Sequence, residues 1–337
     1  TWTVSGTWTN ASTDATWEAG SGTVTFDSAT GGTMTFAGTN LAEDEFNNVT
    51  FNSTAAITYT MATRGLRLGG ALSITDTVTT VGLTTSNLAV TAGSVAIGTN
   101  GTLTGGSSTI TVSGNWNSSA GTFTIGTSTV VFAATGTITT PSDEAITQFY
   151  NLTINASITT TIASDFGVRN QTTVNGTLTG EFIIRLANNF SQVTPLVLGG
   201  AGSVSGVGTV RYVPKVSFSV VGTTYNNLTL WNFAAGSVAT LAGAIAVTND
   251  LLMRVETNTS AINNYAITTG SLTMDGGGES VLRTNTSTVT INGAVNLTAT
   301  AGYVVSGAAG SWTVSGAWTN DSASASWSFA APITFNA

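Results

Sequence analysis

The sequence predicts an all-β fold, a right-handed parallel β-helix (β-solenoid) drawn out into an elongated rod with almost no helix. Three observations predict it: short runs of alternating apolar and polar residues, motifs that recur along the 337 residues, and a composition with only 7% charged residues. Soluble domains average about 25% charged residues, so hydroxyl and amide groups must hydrate this surface. Hydrophobic residues make up 41% of the chain, which distinguishes it from a disordered polypeptide.

The alternating runs are short, and Gly, Asn, Asp or Ser separates them. Successive side chains of a strand point to opposite faces, so each run predicts a strand with one inward face. Helical spacing is nowhere sustained, and the frequent Gly and Thr would penalise a helix along most of its length. Clear examples of predicted strands are residues 71–75, 87–91, 94–97, 101–104 and 109–113.

Two motifs recur in a fixed order. The first is TWTVSGTWTN at 1–10, TITVSGNWNS at 109–118 and SWTVSGAWTN at 311–320, followed by strands at 23–26, 129–132 and 333–335. The second is FNNVTF at 46–51, FYNLTI at 149–154 and YNNLTL at 225–230. Such repeats predict one continuous solenoid over 1–337, with modules at approximately 1–108, 109–210 and 211–310, and with 311–337 beginning a further module or forming a terminal coil.

Each coil of a solenoid buries its inner face only against the coils above and below it. The motifs therefore predict inward-facing rows that include Val4, Val24, Phe26, Val49 and Phe51. The Asn before each strand of the second motif is predicted to hydrogen-bond from coil to coil, at Asn48, Asn151 and Asn227. About 20 residues per coil and about 4.8 Å between coils would give roughly 15 to 17 coils and a rod of about 75 Å.

The pattern WTVSG-x-W-x-N, then G-T-x-T/V-F, then F-x-N-L-T-I resembles the repeat arrays of large bacterial and archaeal surface proteins. These are adhesin-like and filament-like chains that form parallel β-helices. The resemblance covers nearly the whole sequence. It implies the fold and an extracellular or cell-surface location, and it implies no particular ligand.

The composition argues against several functions. The chain has no Cys and no His, which excludes thiol catalysis, disulfides, ordinary zinc sites and histidine acid–base chemistry, and we expect no cofactor. A net charge of −8 argues against nucleic acid and anionic membranes as partners. No apolar run approaches the roughly 20 residues that span a bilayer. The chain starts at Thr1, so we expect a processed chain or part of a larger precursor. Its eight cations are Arg64, Arg67, Arg169, Arg185, Arg211, Lys215, Arg254 and Arg283.

The first and last segments are copies of each other. Residues 311–337 repeat 1–27, and six of the eight tryptophans lie in these two segments. Open solenoid ends expose unpaired backbone groups and core, so natural arrays need caps, and no capping helix or charged terminal coil is seen in the sequence. We expect the last coil of one subunit to stack on, or exchange strands with, the first coil of the next, which would form a fibre. The expected interface residues are Trp2, Trp8, Trp17, Trp312, Trp318 and Trp327.

An alternative stays open for these copies. The chain could be one stretch of a longer repeat array, in which every Trp is an ordinary core residue. The functional predictions follow the same division. The first is a structural subunit of an extracellular filament or sheath that polymerises with itself, and the second is a fragment of a monomeric cell-surface adhesin.

Two acidic clusters were considered as calcium sites, namely Glu43, Asp44 and Glu45, and then Asp143 with Glu144. Calcium prefers oxygen ligands. Neither cluster has the alternate acidic spacing of an EF-hand loop or the nonapeptide of calcium-binding β-rolls. Solvated loops are therefore the favoured interpretation.

A polysaccharide-binding protein or a polysaccharide lyase is the third and least favoured functional class. Pectate-lyase-like enzymes need clustered carboxylates and an Arg or Lys base on one face. Here the cations are scattered, with Arg64 close to Arg67 and Arg211 close to Lys215 as the only near pairs. Surface ion pairs would also explain the pattern Asp250, Arg254 and Glu256. We expect no enzymatic activity.

Sequons of the form Asn-x-Ser/Thr are abundant. In so Thr-rich a chain many of them arise by chance. Covalent glycans are nevertheless the expected modification if the producing organism has N-glycosylation. The predicted acceptors are Asn10, Asn52, Asn117, Asn155, Asn170, Asn175, Asn258, Asn285 and Asn320.

Overall fold

The structure, a computed structural model, is an all-β parallel β-solenoid, and no helix occurs in the part of the chain that it describes. Parallel strands joined by crossovers are right-handed in about 98% of cases, so right-handedness stays a prediction. The described residues are 1–10, 20–36, 46–143, 146–188, 190–232, 237–255, 259–262, 264–276, 279–298, 301–306, 310–321, 326–330 and 332–336.

The described residues form 38 strands. Strands in the first half are β1 (Trp2–Val4), β2 (Trp8–Asn10), β3 (Thr23–Asp27), β4 (Gly32–Phe36), β5 (Asn48–Asn52), β6 (Ile57–Ala62), β7 (Leu66–Arg67), β8 (Ala71–Ile74), β9 (Val81–Thr84), β10 (Val90–Ala92), β11 (Ser94–Ile97), β12 (Gly101–Thr104), β13 (Thr109–Val112), β14 (Trp116–Asn117), β15 (Thr122–Thr124), β16 (Thr129–Phe132), β17 (Gly136–Thr139), β18 (Thr147–Ile154) and β19 (Thr159–Ile162). Strands in the second half are β20 (Phe166–Val174), β21 (Thr177–Leu186), β22 (Leu196–Leu198), β23 (Ser203–Tyr212), β24 (Phe218–Val220), β25 (Thr224–Tyr225), β26 (Leu228–Asn232), β27 (Val238–Leu241), β28 (Ile245–Val255), β29 (Thr259–Ile262), β30 (Ile267–Asp275), β31 (Glu279–Asn285), β32 (Thr288–Ile291), β33 (Val295–Leu297), β34 (Ala301–Ser306), β35 (Ser311–Val314), β36 (Trp318–Asn320), β37 (Ser326–Phe329) and β38 (Ile333–Phe335).

The chain divides into two compact units. The first contains Thr1–Asp143 and Gln148–Phe166, and the second contains Glu144–Thr147 and Gly167–Ala337. Each unit is a stack of parallel coils. The prediction of one continuous solenoid with module boundaries at 108, 210 and 310 stays a prediction.

In the first unit a complete coil contains three short strands, such as β8, β9 and β10. The middle strands of successive coils form a six-stranded parallel sheet in the order β15, β12, β9, β6, β4 and β2. The other strands form parallel ladders such as β3, β5, β8 and β11. The coil length varies: Val24 lies opposite Val49, 25 residues later, whereas Val95 lies opposite Trp116, 21 residues later.

The predicted coil length was too short. The chain makes about 12 turns, fewer than the roughly 15 to 17 expected at 20 residues per coil. The extra residues are in the turns that connect the three strands of a coil. Residues 75–80, for example, connect β8 to β9, and Asp76 anchors that turn.

Inward-facing residues of neighbouring coils stack in rows, as predicted. Phe26 and Phe51 lie opposite each other with their rings stacked at 5.2 Å, and both are fully buried. Val24 and Val49 form the parallel row two residues earlier. Burial of each such side chain stabilises the fold by about 1.5 to 3 kcal/mol. Val4 is only half-buried, because β1 has a neighbour on one side alone among the described strands.

The strand predicted at 87–91 was placed too early. The structure begins β10 at Val90, and Ser86 and Asn87 instead adopt left-handed backbone conformations with φ of 54° and 65°. Asn tolerates this conformation better than most residues and is common in turns. The Asn87 side-chain oxygen also accepts a hydrogen bond from the Ser107 amide of the next coil at 2.8 Å. The other four predicted strands match β8, β11, β12 and β13 within one residue.

The second unit has longer strands. β21, β23, β28 and β30 contain nine to eleven residues each, and register shifts interrupt the β21–β23 and β28–β30 pairings. A six-stranded sheet of β24, β27, β29, β31, β34 and β37 forms a second wall. In the core, Tyr225 donates a hydrogen bond to the carbonyl of Val221 at 2.7 Å, and its hydroxyl lies 3.2 Å from that of Tyr212. Burial raises the pKa of Tyr212 to about 12.

The three Asn residues of the second motif hydrogen-bond from coil to coil, as predicted. Their partners are not one another. Asn48 accepts a hydrogen bond from the backbone of Ala71 at 2.8 Å, and Asn227 donates to the carbonyl of Gly208 at 2.7 Å. Asn151 donates to the Thr129 hydroxyl at 3.2 Å. These amides therefore join adjacent coils one by one and do not form a stacked Asn ladder.

Candidate assembly and ligand-binding surfaces

The first Trp of the motif has the same strand pairing in both terminal copies and opposite exposure. Trp2 on β1 lies opposite Val24, and Trp312 on β35 lies opposite Ile333. Trp312 is fully buried because β32 covers it on the other side, with Val289 as its direct neighbour. In the described chain Trp2 has no strand on that side, and it is 62% exposed. The difference is therefore one missing coil.

The reverse holds for the Phe of the following strand. Phe26 lies opposite Val4, and Phe335 lies opposite Val314. Phe26 is fully buried because Phe51 of the next coil covers it. Phe335 lies on the last described strand and is 59% exposed. Each terminal coil thus exposes an aromatic side chain that the corresponding coil of the other copy buries.

The second Trp of the motif does not have equivalent surroundings in the two copies. Trp8 lies on β2 in the six-stranded sheet, opposite Met34, and its ring contacts the edge of Phe46 at 5.2 Å. Trp318 lies on β36 in the other ladder, opposite Val295, and its ring lies 6.1 Å from that of Phe335. The copies are thus structurally equivalent over the first half of the motif.

The internal copy shows the motif fully covered. Ile110 and Trp116 are completely buried, and the Trp116 indole donates a hydrogen bond to Ser118 at 3.1 Å. Trp17 lies outside the described residues, and for Trp327 only the backbone, on β37, is described. The assignment of six tryptophans to a subunit interface stays a prediction.

The predicted glycosylation sites differ in exposure. Asn52, Asn117 and Asn320 are exposed, and Asn258 lies outside the described residues. At Asn117 the side-chain oxygen accepts hydrogen bonds from the Ser119 hydroxyl and amide, at 2.8 and 3.0 Å, so the two ends of the sequon are already in contact. The half-buried acceptors are Asn10, Asn155, Asn170, Asn175 and Asn285.

Asp76 is a buried carboxylate that holds a turn. Its oxygens accept hydrogen bonds from the amides of Val78, Thr79 and Ser53, at 2.7, 3.1 and 2.8 Å, and from the Thr79 hydroxyl at 3.3 Å. These donors lower the pKa of Asp76, the Val78 amide contributing most. The role of Asp76 is structural, since it joins its own turn to Ser53 of the preceding coil.

The described residues contain no group of three or more acidic, His or Cys side chains placed to hold a metal ion. The predicted calcium candidates Glu43, Asp44, Glu45 and Glu144 lie outside the described residues, whereas Asp143 is described. Asp250 accepts hydrogen bonds from the hydroxyls of Ser271 and Thr273 at 2.7 and 3.1 Å, separately from Arg254. Glu256 also lies outside the described residues.

Cationic side chains pack against aromatic rings. Arg64 lies 5.6 Å from the ring centroid of Phe36, and Arg169 lies 5.1 Å from that of Phe190. A larger group surrounds Trp231, where three guanidinium groups lie 5.1 to 5.5 Å from one ring centroid. We define the Trp231 cluster as Arg185, Arg211, Trp231, Arg254 and Asp275.

The sequence analysis missed this cluster. It paired Arg211 with Lys215 because they are close in sequence, whereas the strand register places Arg211 directly opposite Arg185 of the preceding coil. Trp231 lies opposite Arg254, which lies opposite Asp275. The separations along the chain are close to one coil length, so a search for charged residues at the coil period would have found the cluster.

Among the described residues there is no helix of the length and hydropathy needed to cross a membrane. A scan against protein-family models gives no match, and neither curated proteins nor solved structures provide one. What the structure adds to the sequence is therefore a parallel β-solenoid with two complementary terminal coils and one cationic, aromatic cluster.

Proposed function

We propose that this chain is a structural subunit of an extracellular filament or sheath, and that its subunits join head to tail through their terminal coils. One observation supports this most directly. Trp2 and Phe335 are about 60% exposed, whereas their counterparts Trp312 and Phe26 are fully buried by a neighbouring coil. A coil supplied by another subunit would bury both aromatic side chains, which is favourable by about 1.5 to 3 kcal/mol for each.

A specific joint follows if the strand register continues from one subunit to the next. With β38 of one subunit parallel to β1 of the next, Ile333 lies opposite Trp2 and Phe335 opposite Val4. Apolar residues then meet apolar residues, and the unpaired backbone groups of both edge strands form hydrogen bonds. The contact joins two different surfaces, so it propagates along an axis instead of closing a dimer.

Disulfide trapping tests this joint. Thr3 and Thr334 are exposed, lie one residue after Trp2 and Ile333, and would face each other across the joint. Neighbouring parallel strands are about 4.8 Å apart, within the range of about 4.4 to 6.8 Å between Cα atoms that a disulfide spans. Because the chain has no Cys, Thr3→Cys and Thr334→Cys proteins can be purified separately, mixed and oxidised.

We expect a disulfide-linked dimer from the mixture, detected by non-reducing electrophoresis and mass spectrometry. A mixture of Thr3→Cys with Thr124→Cys is the matched control, since Thr124 is equally exposed on β15 in the middle of the first unit. Equal dimer yields from both mixtures, or a monodisperse monomer in native mass spectrometry of the unmodified chain, would refute the head-to-tail joint.

The second candidate is a stretch of a longer cell-surface adhesin. The internal copy of the motif favours it, because Ile110 and Trp116 show how the same residues are covered when coils of one chain lie on both sides. In that case the coils that cover Trp2 and Phe335 belong to the same polypeptide. The disulfide experiment distinguishes the two candidates, since an adhesin segment gives no preferred β38–β1 dimer.

A structural role outside the cell, without catalysis, is part of the proposal. It is supported by the resemblance of the motifs to surface-protein repeats and by the way the surface is hydrated. On the six-stranded sheet of the first unit, the outward positions of β4, β6, β9, β12 and β15 hold hydroxyls in place of charges. Nine of these eleven positions are Thr, and the others are Ala62 and Gly82: Thr33, Thr35, Thr58, Thr60, Thr84, Thr102, Thr104, Thr122 and Thr124.

A further inference from the structure

We propose that the Trp231 cluster binds an anionic polysaccharide through its guanidinium groups. This is a ligand-binding function on the side of the solenoid, and it does not depend on the head-to-tail joint proposed above. The shared chemistry of the ligand is an oxyanion, carboxylate or sulfate, carried at intervals on a sugar chain.

The cluster lies on the outer face of the second unit. Arg185 is flanked by Ile184 and Leu186, and both of these are buried in the core. Successive side chains of a strand point to opposite faces, so Arg185 points outward. Arg211, between the buried Val210 and Tyr212, points outward by the same argument.

The cationic groups follow the direction in which the coils stack. β21, β23, β26, β28 and β30 lie side by side in that order, and each contributes one member of the cluster. Three strand steps separate Arg185 from Arg254, which is about 14 Å between their backbones. Such a track fits an extended ligand better than a small molecule.

The guanidinium groups are held in place before any ligand arrives. Arg185 is only 9% exposed although it lies on the outer face, and its guanidinium lies 5.2 Å from the Trp231 ring centroid. Arg254 is fixed from the other side by a two-point ion pair with Asp275, with both N–O distances at 2.9 Å. Fixed side chains lose less rotamer freedom on binding, which favours affinity.

The arrangement concentrates positive charge in an acidic protein. Three of the eight cations of a chain with net charge −8 lie around one ring. Arg185 and Arg211 lie directly opposite each other on neighbouring strands, and opposed like charges destabilise a sheet. An oxyanion between the two guanidinium groups would reverse that repulsion, because the planar fork of Arg binds carboxylates and sulfates in a bidentate manner.

A polysaccharide fits this track better than a nucleic acid. Duplex DNA carries one charge per roughly 1.7 Å of axis, and the net negative charge of the protein would repel it along its length. A glycan with one acid group per sugar, or fewer, places its charge only where the guanidinium groups are. Thr209 and Thr273, two residues before Arg211 and Asp275 on the same outer faces, offer hydroxyls for the sugar.

Isothermal titration calorimetry of the full chain tests the proposal. The probes are polygalacturonate, dextran sulfate and neutral dextran, each at low and high salt. We expect one or both anionic polymers to bind, neutral dextran to be inert, and binding to weaken as salt screens the charges. The two anionic probes distinguish a carboxylate ligand from a sulfate ligand.

Two variants change the affinity in opposite directions. Arg211→Gln removes one guanidinium and should weaken binding about tenfold. Asp275→Asn removes the competing carboxylate from Arg254 and should strengthen binding severalfold. Arg169→Gln is the matched control, because it removes a cation that also packs on a ring, Phe190, outside the cluster. Thermal unfolding of each variant verifies that it is folded.

Opposite shifts for Arg211→Gln and Asp275→Asn, with no shift for Arg169→Gln, support the site. A purely structural cluster predicts no anion binding at all, and equal losses from all three variants indicate nonspecific charge attraction. Equal binding of neutral dextran, tighter binding of duplex DNA than of either anionic polysaccharide, or unchanged affinity in Arg211→Gln would overturn the proposal.

Discussion

Single polar residues join the coils of this solenoid at their turns. Asp76 is the most heavily engaged, since its carboxylate accepts hydrogen bonds from three backbone amides and one hydroxyl. One of these amides, that of Ser53, lies 23 residues earlier in the chain. A carboxylate with many donors prefers its charged form, which is why the pKa of Asp76 is lowered.

This lowered pKa predicts an acid-sensitive turn. The folded pKa lies below the unfolded value of about 3.9, so the stabilisation is complete at neutral pH and is lost as the pH falls through the folded pKa. Asp76→Asn should lower the free energy of unfolding at pH 7 by about 1 to 3 kcal/mol, because donors lose their acceptor. Thermal unfolding at pH 7 and pH 3 measures this.

The difference between Asp76→Asn and the unmodified chain should shrink at pH 3, where the carboxyl group is becoming neutral in both states of the native chain. Asp321→Asn removes the same charge from an exposed position and serves as the control. An Asp76→Asn effect that is equally large at both pH values would contradict the prediction.

Inward-facing residues could be predicted from the sequence, but the partners of buried polar residues could not. Phe26, Val49 and Phe51 follow from alternation alone, because strand geometry fixes which face each side chain takes. Asp76 gives no such signal. Its partner Ser53 is identified only when the coil length is known, and this length varies between 21 and 25 residues among the pairs described above.

At the scale of elements, the turns determine how closely successive coils approach. Gly101 begins β12, and a Cβ atom added there would lie only 2.0 Å from the carbonyl oxygen of Ile74. Gly6 is different, because an added Cβ would have no other atom within 4 Å. The two glycines therefore offer a matched pair.

Gly101→Ala should destabilise the first unit by about 1 to 3 kcal/mol, because the backbone of β12 must shift to relieve the overlap. Gly6→Ala should stay within about 0.5 kcal/mol of the unmodified chain. Chemical denaturation followed by circular dichroism measures both. Equal stability of the two variants would show that the neighbouring coil relaxes without cost.

The elements also show the limits of periodicity. Alternation located β8, β11, β12 and β13 but misplaced the start of β10, because the left-handed residues Ser86 and Asn87 extend the preceding turn. The long strands of the second unit were missed for a related reason. In β21 and β28 the register shifts break strict alternation, so one strand resembles two short ones.

At the scale of the whole molecule, the repeated motif was visible in the sequence, whereas its two different environments were not. Trp2 and Trp312 belong to copies of one motif, and only the stacking of β32 on β35 distinguishes a buried Trp from an exposed one. The Trp231 cluster was hidden for the same reason, since its members are brought together by strand register across five strands.

The exposed Trp2 provides the sharpest test of assembly. Trp8→Asp and Trp318→Asp are poor probes, because both rings pack against aromatic neighbours of their own unit and their loss would disturb the coil itself. Trp2→Asp removes a side chain that is 62% exposed, so the thermal midpoint of the isolated subunit should change little. The proposed joint would lose its central apolar contact and gain a buried charge, which is strongly unfavourable.

We therefore expect Trp2→Asp to abolish filaments in negative-stain electron microscopy and to leave a monomer in sedimentation velocity. Val78→Asp is the matched control, since Val78 is 81% exposed and lies in the turn between β8 and β9, away from both terminal coils. It introduces the same charge without touching the joint, so its filaments should persist. Filaments that survive Trp2→Asp, or that are lost equally in Val78→Asp, would mean that β38 and β1 do not meet between subunits.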